Sequence, residues 1–281
     1  MKRLLRRFAD LPWGQLHYFE GGEGGPAPLV MLHGAGASGR GLAPLASALA
    51  ATRRVIVPDM PGCGDSDPLP QERLEIADLV ATLAEFLDAL GLARCDLHGT
   101  HLGARVAVEA ALTLRPTGRI RRVVLDGVGF YDDAFRAAML AHVAPEFVPD
   151  LDGAYLMRAW QMCRDYFLFF PWFEKDAAHR RATGLPSPDA IHAKLVEVLR
   201  NGRTYPRVYH AAIRYRLEDA LPRMTVPTLL ATARTDNVLH NLPRAAALLP
   251  GAPVAETPGA ATPEDAAATA AIFARFLDAP E

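Results

Sequence analysis

One stretch of the chain concentrates residues that could do chemistry: Cys95-Asp96-Leu97-His98-Gly99-Thr100-His101-Leu102-Gly103-Ala104. The frame Gly99-Thr100-His101-Leu102-Gly103 has the spacing Gly-x-nucleophile-x-Gly. Such a frame turns a short strand sharply into a helix and leaves its middle residue strained, with the side chain exposed to a pocket. Glycine is needed on both sides because a Cβ there would crowd the turn. The middle residue is His101. An imidazole in that seat can take a proton from water, attack a carbonyl carbon, or move a proton at carbon.

The elements that must hold this turn are legible around it. The 281 residues, half of them hydrophobic, suffice for one sizeable core with insertions. Leu29-Val30-Met31-Leu32, Val55-Ile56-Val57 and Val123-Val124-Leu125 are short, wholly apolar runs, as in strands buried on both faces of a parallel sheet. Before the elbow, Leu79, Leu83, Phe86, Leu87 and Leu90 recur at helical spacing and stop at Gly91. Near the N-terminus, 8–12 and 15–20 read as a strand pair turning at Gly14. Strands resume at Thr228-Leu229-Leu230-Ala231 and Pro253-Val254-Ala255-Glu256. The last helix begins at Thr262-Pro263-Glu264-Asp265, with Thr as N-cap, Pro at the first helical position and acids in the first turn. This alternation predicts an α/β fold with a mostly parallel, doubly wound sheet. From Phe130 to Leu221 the alternation stops, and the sequence reads as several helices rich in aromatic residues. The expected division is a core of 1–129 and 222–281 with a helical insertion at 130–221.

Two loops follow the first buried strands: His33-Gly34-Ala35-Gly36-Ala37-Ser38, and Asp59-Met60-Pro61-Gly62-Cys63-Gly64-Asp65-Ser66. With the elbow they make the chain resemble the α/β-hydrolase superfamily, in the same order and over nearly its whole length. The resemblance implies that the insertion is a cap roofing the active site. It implies an oxyanion hole made by the backbone N–H groups of Ala35 and Leu102, with His33 and Gly34 in the same loop. It also places the acid of a Ser-His-Asp triad in the loop after the penultimate core strand, where Asp236 stands; Asp126 is the alternative acid. Two departures follow. The nucleophile seat holds His101. The loop after the last strand, Glu256 to Thr262, contains no histidine. The two changes can compensate, because a histidine at the elbow reaches toward the seat the triad histidine leaves empty beside Ala260 and Ala261. A His101–Asp236 dyad is therefore expected.

In the insertion, Trp160 and Arg164 are four apart and share a helix face; with Trp172 they are expected to line an apolar pocket that carries one cation. Packing within the insertion is the competing reading for each. His142, His179, His192 and His210 lack metal-ligand spacing, and no phosphate loop or dinucleotide fingerprint is present, so no metal and no cofactor are expected. Cys63, Cys95 and Cys163 are few, odd in number and far apart, which favours a reducing, cytoplasmic setting over a disulfide-forming one, and richness in alanine and arginine with little lysine suggests a GC-rich bacterial source. The basic start at Lys2 to Arg7 is followed by no apolar run of a secretory signal. A net charge of −2 argues against a nucleic-acid surface, and no run approaches a membrane span. The expected partner is a small, mostly apolar molecule; a homodimer is open.

Two classes of function remain. The first is an enzyme that hydrolyses an ester, thioester or activated ketone by water activation or through an acyl-imidazole. Lyase, isomerase or cofactor-free oxygenase chemistry at the same base belongs with it. The second is a non-catalytic binder that keeps the pocket alone. Both exclude an ordinary serine acyl-enzyme at this elbow. A fluorophosphonate probe should therefore leave the protein unlabelled by intact-mass spectrometry, and His101→Ser alone should not restore esterase activity. Stoichiometric phosphonylation of a pocket serine would overturn this reading.

Overall fold

The computed structural model describes residues 2–182 and 184–280; Met1, Thr183 and Glu281, which fall in the expected core and insertion segments, lie outside the described residues. Eight strands form one sheet: β1 (Leu5–Leu11), β2 (Gly14–Gly21), β3 (Leu29–Leu32), β4 (Val55–Pro58), β5 (Cys95–Thr100), β6 (Ile120–Asp126), β7 (Thr228–Ala233) and β8 (Val254–Thr257). Their order across the sheet is β1-β2-β4-β3-β5-β6-β7-β8. β2 runs antiparallel to β1 and β4, and the remaining neighbours are parallel. The first hairpin turns at Pro12-Trp13, with Gly14 already paired to Leu11, so its turn lies just ahead of the expected Gly14.

The helices are α1 (Ala43–Leu49), α2 (Ile76–Ala89), α3 (Leu102–Thr113), α4 (Asp133–His142), α5 (Ala154–Leu168), α6 (Pro188–Arg200), α7 (Tyr205–Arg214), α8 (Leu217–Ala220), α9 (Leu242–Leu248) and α10 (Pro263–Leu277). Strand alternation assigns the faces. Leu29 and Met31 of β3 pack with Leu45, Leu49 and Phe273, under α1 and α10. Val30 and Leu32 of the same strand pack with Leu83, Phe86 and Val106, under α2 and α3. Full burial of a side chain such as Phe273 contributes about 1.5–3 kcal/mol. Thr262 caps α10 as its sequence suggests, its hydroxyl accepting the Asp265 N–H at 3.1 Å.

Between β6 and β7 the described residues form α4 to α8 and no strand longer than an isolated bridge. This segment has its own apolar cluster, which includes Met139, Phe147, Met162, Ile191 and Tyr205. Specific polar contacts tie it to the core. Thr204 Oγ1 donates to the Gly62 carbonyl at 3.0 Å, Asn201 Nδ2 to that of Gly64 at 3.1 Å, and Lys194 Nζ to that of Gly36 at 2.5 Å.

The elbow sits where β5 meets α3, at the centre of the sheet. His101 has φ 52° and ψ −103°, and it is the one non-glycine residue with positive φ among the described residues. Such a conformation costs of order 1–3 kcal/mol and persists only where its surroundings enforce it. Gly99 and Gly103 permit it by close approach. A Cβ on Gly99 would lie 2.2 Å from the Gly103 carbonyl oxygen, and one on Gly103 would lie 2.1 Å from that of Leu32. Gly103→Ala must push α3 away from β3, and a loss of ~1–3 kcal/mol or more is expected. An unchanged urea-unfolding midpoint for this variant would contradict that packing.

Candidate active site

His101 Nε2 lies 3.0 Å from Asp236 Oδ2. Asp236 stands in the turn after β7, where its other oxygen, Oδ1, accepts the Val238 N–H at 3.0 Å. The carboxylate is thus aimed by its own turn before the imidazole meets it. An ionised carboxylate only accepts, so Nε2 carries the proton and Nδ1 keeps a lone pair. Nδ1 has no partner among the described residues. Burial, the largest single influence on His101, pushes its pKa down; the Asp236 hydrogen bond and charge, with Asp126 behind them, outweigh it and hold the ring above the ordinary value. For Asp236 burial pushes upward, and His101 wins to leave the carboxyl below the ordinary range. Protein surrounds the ring, yet 45% of its surface still opens into the cavity.

Room for the ring comes from glycine. A Cβ on Gly127 would sit 3.1 Å from both Asp236 Oδ2 and His101 Cε1, and Gly127 has φ +76°. Gly34 covers the other side, where a Cβ would lie 3.7 Å from His101 Cδ2. The expected room beside Ala260 and Ala261 is not what holds the ring: Ala260 packs with the α1–α10 cluster, and neither residue lines the cavity. Asp126 takes a different place. Its carboxylate lies 3.5 Å from His98, and its carbonyl accepts the His101 N–H at 3.2 Å. Asp236, not Asp126, is therefore the partner in contact.

The cavity over the dyad has a volume of about 430 Å³ and is lined by both the core and the insertion. Ala35 and Leu102 are on its wall. Leu102 is the first residue of α3, so its N–H has no intrahelical acceptor. His33 and Gly34 also border the cavity, but His33 is committed to the loop. Its Nε2 accepts the Met60 N–H at 2.9 Å and its Nδ1 donates to the Gly34 carbonyl at 2.8 Å. Burial lowers its pKa and keeps it neutral. Asp59 braces the same loop. It accepts the Gly39 N–H at 2.6 Å, the Asp65 N–H at 2.9 Å and a bond from His17 at 2.8 Å. A Cβ on Gly64 would fall 2.0 Å from Asp59, which explains the glycine in that turn.

Trp160, Arg164 and Trp172 are not on the cavity wall, contrary to expectation. Both tryptophans pack on the insertion's own cluster, and Trp172 Nε1 donates to the Val143 carbonyl at 2.9 Å. Arg164 pairs with buried Asp165 at 2.7 Å. The wall instead takes Tyr131, Tyr166, Phe170, Arg181, Lys194 and Tyr209 from the insertion. The aromatic bias was visible in the sequence. Arg181 gave no signal, and Lys194 gave only the weak one of being among three lysines in an arginine-rich chain.

Among the described residues two trios could gather metal-donor atoms, His17-Asp59-Asp65 and Glu174-Asp176-His179, and neither lies on the cavity wall. In the first, Asp65 is neutralised by Arg6 and Arg200, and His17 and Asp59 bond each other. In the second, Asp176 is used up capping His179. The three cysteines are buried, and burial raises each thiol, that of Cys163 to about 11. Among the described residues no helix is long and apolar enough to cross a membrane.

A family model for the alpha/beta hydrolase fold matches residues 27–260, from before β3 to the loop after β8. The chain belongs to the alpha/beta hydrolase fold family. Among curated relatives, it is 44% identical over 135 residues to 2-hydroxy-6-oxononadienedioate/2-hydroxy-6-oxononatrienedioate hydrolase 2 of Pseudomonas putida, covering 44% of this chain and 45% of that protein. It is 34% identical over 124 residues to (E)-2-((N-methylformamido)methylene)succinate hydrolase of Acinetobacter baylyi, covering 44% and 46%. The chain thus matches less than half the length of these relatives. Among solved structures, a hydrolase from Pseudomonas aeruginosa PA01 aligns with a TM-score of 0.74 and 23% identity, over 98% of both chains. Epoxide Hydrolase A from Mycobacterium thermoresistibile aligns with a TM-score of 0.74 and 23% identity, over 99% of both. At that identity these structures establish the fold alone.

The dyad makes a prediction of its own. An NMR titration of the His101 ring should give a midpoint above the ordinary histidine value, about 6.5. In Asp236→Asn burial is left to act, and the midpoint should drop below that value. An unmoved midpoint would mean that the carboxylate does not control the ring.

Proposed function

We propose that the protein is a hydrolase of a small ester, thioester or activated ketone, with His101 as its base. The observation that carries this reading is the 3.0 Å His101–Asp236 contact at a strained elbow. The relatives named as hydrolases support the reaction class, including those whose names describe oxo-dienoate substrates. In the proposed reaction the substrate carbonyl oxygen lies against the Ala35 and Leu102 N–H groups. Nδ1 takes a proton from water as the water oxygen bonds to the carbonyl carbon. Asp236 stabilises the imidazolium so formed. Collapse of the tetrahedral intermediate breaks the bond to the leaving group, and the proton on Nδ1 goes to that group. Direct attack by Nδ1 would give an acyl-imidazole that water then cleaves; a mass increment on His101 after rapid quenching distinguishes this route.

The apolar part of the wall, from Met139, Phe170, Ala212 and Ile213, suits a short hydrocarbon portion of such a substrate. Only a neutral imidazole can act as base, and pairing with Asp236 raises its pKa. Activity should therefore rise with pH through a midpoint above about 6.5 and then level off. On a panel of p-nitrophenyl esters, acyl thioesters and vinylogous ketones, His101→Ala should lower turnover by roughly 10²–10⁴-fold. Asp236→Asn should lower it less, and the double variant should resemble His101→Ala because the two act as a unit. Unchanged turnover in His101→Ala would remove the histidine from the mechanism.

A further inference from the structure

The cavity wall carries an excess of positive charge that the dyad does not use. Asp236 is the one carboxylate on it among the described residues, against Arg105, Arg181 and Lys194. Arg105 is committed. It is 3% exposed, donates from Nη1 to the His101 carbonyl at 3.2 Å and from Nη2 to that of Gly129 at 2.9 Å, and stacks over Tyr131. The two cations from the insertion are not committed in this way. Arg181 donates from Nη1 to the Tyr166 carbonyl at 2.9 Å, while its Nε–H is shut away from water without an acceptor. Lys194 spends one of its three donors on the Gly36 carbonyl at 2.5 Å. Neither has a carboxylate in contact among the described residues.

The two are neighbours through one residue. Arg181 bonds the backbone of Tyr166, and Lys194 Nζ stands 5.0 Å from the centre of the Tyr166 ring. Tyr209 lines the same cavity as Tyr166 and lies against Gly36, so a second phenol borders the same corner. Burial and the neighbouring phenols keep Tyr209 protonated, hence able to donate to an anion. Unpaired cations in an enclosed space are costly, and an anionic ligand removes that cost. Bonds between a guanidinium or ammonium and a carboxylate are about twice as strong as neutral ones.

We infer that Arg181 and Lys194 form an anion subsite that takes a carboxylate group of the substrate, while the scissile carbonyl occupies the oxyanion hole. The placement of the carbonyl rests on the proposed hydrolase reading; the subsite itself does not. The substrate is then an amphiphilic acid, with a hydrocarbon stretch between its carboxylate and its reactive carbonyl, and not the mostly apolar molecule expected from sequence. A singly charged carboxylate fits better than phosphate, because Asp236 on the same wall would repel the second charge of a phosphate.

Calorimetry on the His101→Ala protein tests this without turnover. The probes are monomethyl adipate, dimethyl adipate, adipate and inorganic phosphate. Monomethyl adipate should bind at least about 10-fold more tightly than the dimethyl ester, the gain from hydrogen bonds to a charged group. Arg181→Gln and Lys194→Met should each erode that preference, and together abolish it; Arg181→Lys should keep part of it. The preference should weaken as salt is raised. Equal affinity for the charged and neutral esters, a preference that survives the double substitution, phosphate binding as tightly as the monoester, or no saturable binding by any probe would each overturn the subsite. Because His101 is absent throughout, failure here is separate from failure of the catalytic reading, which turnover of the unsubstituted protein reports.

Discussion

The arrangement depends on a backbone conformation that histidine does not choose for itself. At φ 52° and ψ −103°, His101 is held by α3 pressing on β3 and β5 at two glycines. That strain is tolerable because the strands beneath are wholly buried and packed on both faces. A well-packed interior cannot deform gradually to relieve one residue, so the cost is spread over many contacts. The same geometry lifts the side chain off the sheet and leaves the first N–H of α3 beside it. One constraint therefore sets both the imidazole and a free backbone N–H on the same cavity wall, the pair that the proposed reaction would use.

The remaining parts of the site are fixed by polar contacts that close small loops of chain. Asp59 draws Gly39 and Asp65 together, so the loop after β3 and the loop after β4 brace each other. His33 pins the first of these from within, using both ring nitrogens. Lys194 reaches the same loop from the insertion through the Gly36 carbonyl. The segment that carries Ala35 is consequently held from three directions, the rigidity that the proposed oxyanion donors would need.

Local chemistry in the sequence foretold local structure well. The glycine spacing around His101, the Thr262-Pro263 helix start and the all-apolar runs at Leu29 and Val55 each specify an element through nearest neighbours along the chain. Asp236 was legible through the family resemblance, which places an acid after the penultimate core strand, a position the alternation of elements marks. The insertion was legible only as helical. Trp160 and Arg164 do share a helix, but that helix turns its aromatic side to its own cluster, and the rotation of a helix is decided by partners distant in sequence. Arg181 and Lys194 reach the cavity for the same non-local reason. The seating of the imidazole was half legible. The sequence showed that His101 could reach a carboxylate, while the glycine that makes room, Gly127, follows a strand that carried no such signal.

The nitrogen that holds Asp236 is the outer one of the ring. In a Ser-His-Asp triad the imidazole hangs from a separate loop, is anchored through Nδ1 and works with Nε2. Here the ring grows from the elbow itself, is anchored through Nε2, and presents the nitrogen one bond further from Cβ than a serine oxygen would be. With its far end tethered, the ring cannot swing between an entering and a departing partner. Under the proposed reaction, whatever gives up a proton and whatever takes one would have to visit the same fixed point above the elbow. Motion would then belong to the ligand, and the shape of the chamber would set the order of the steps.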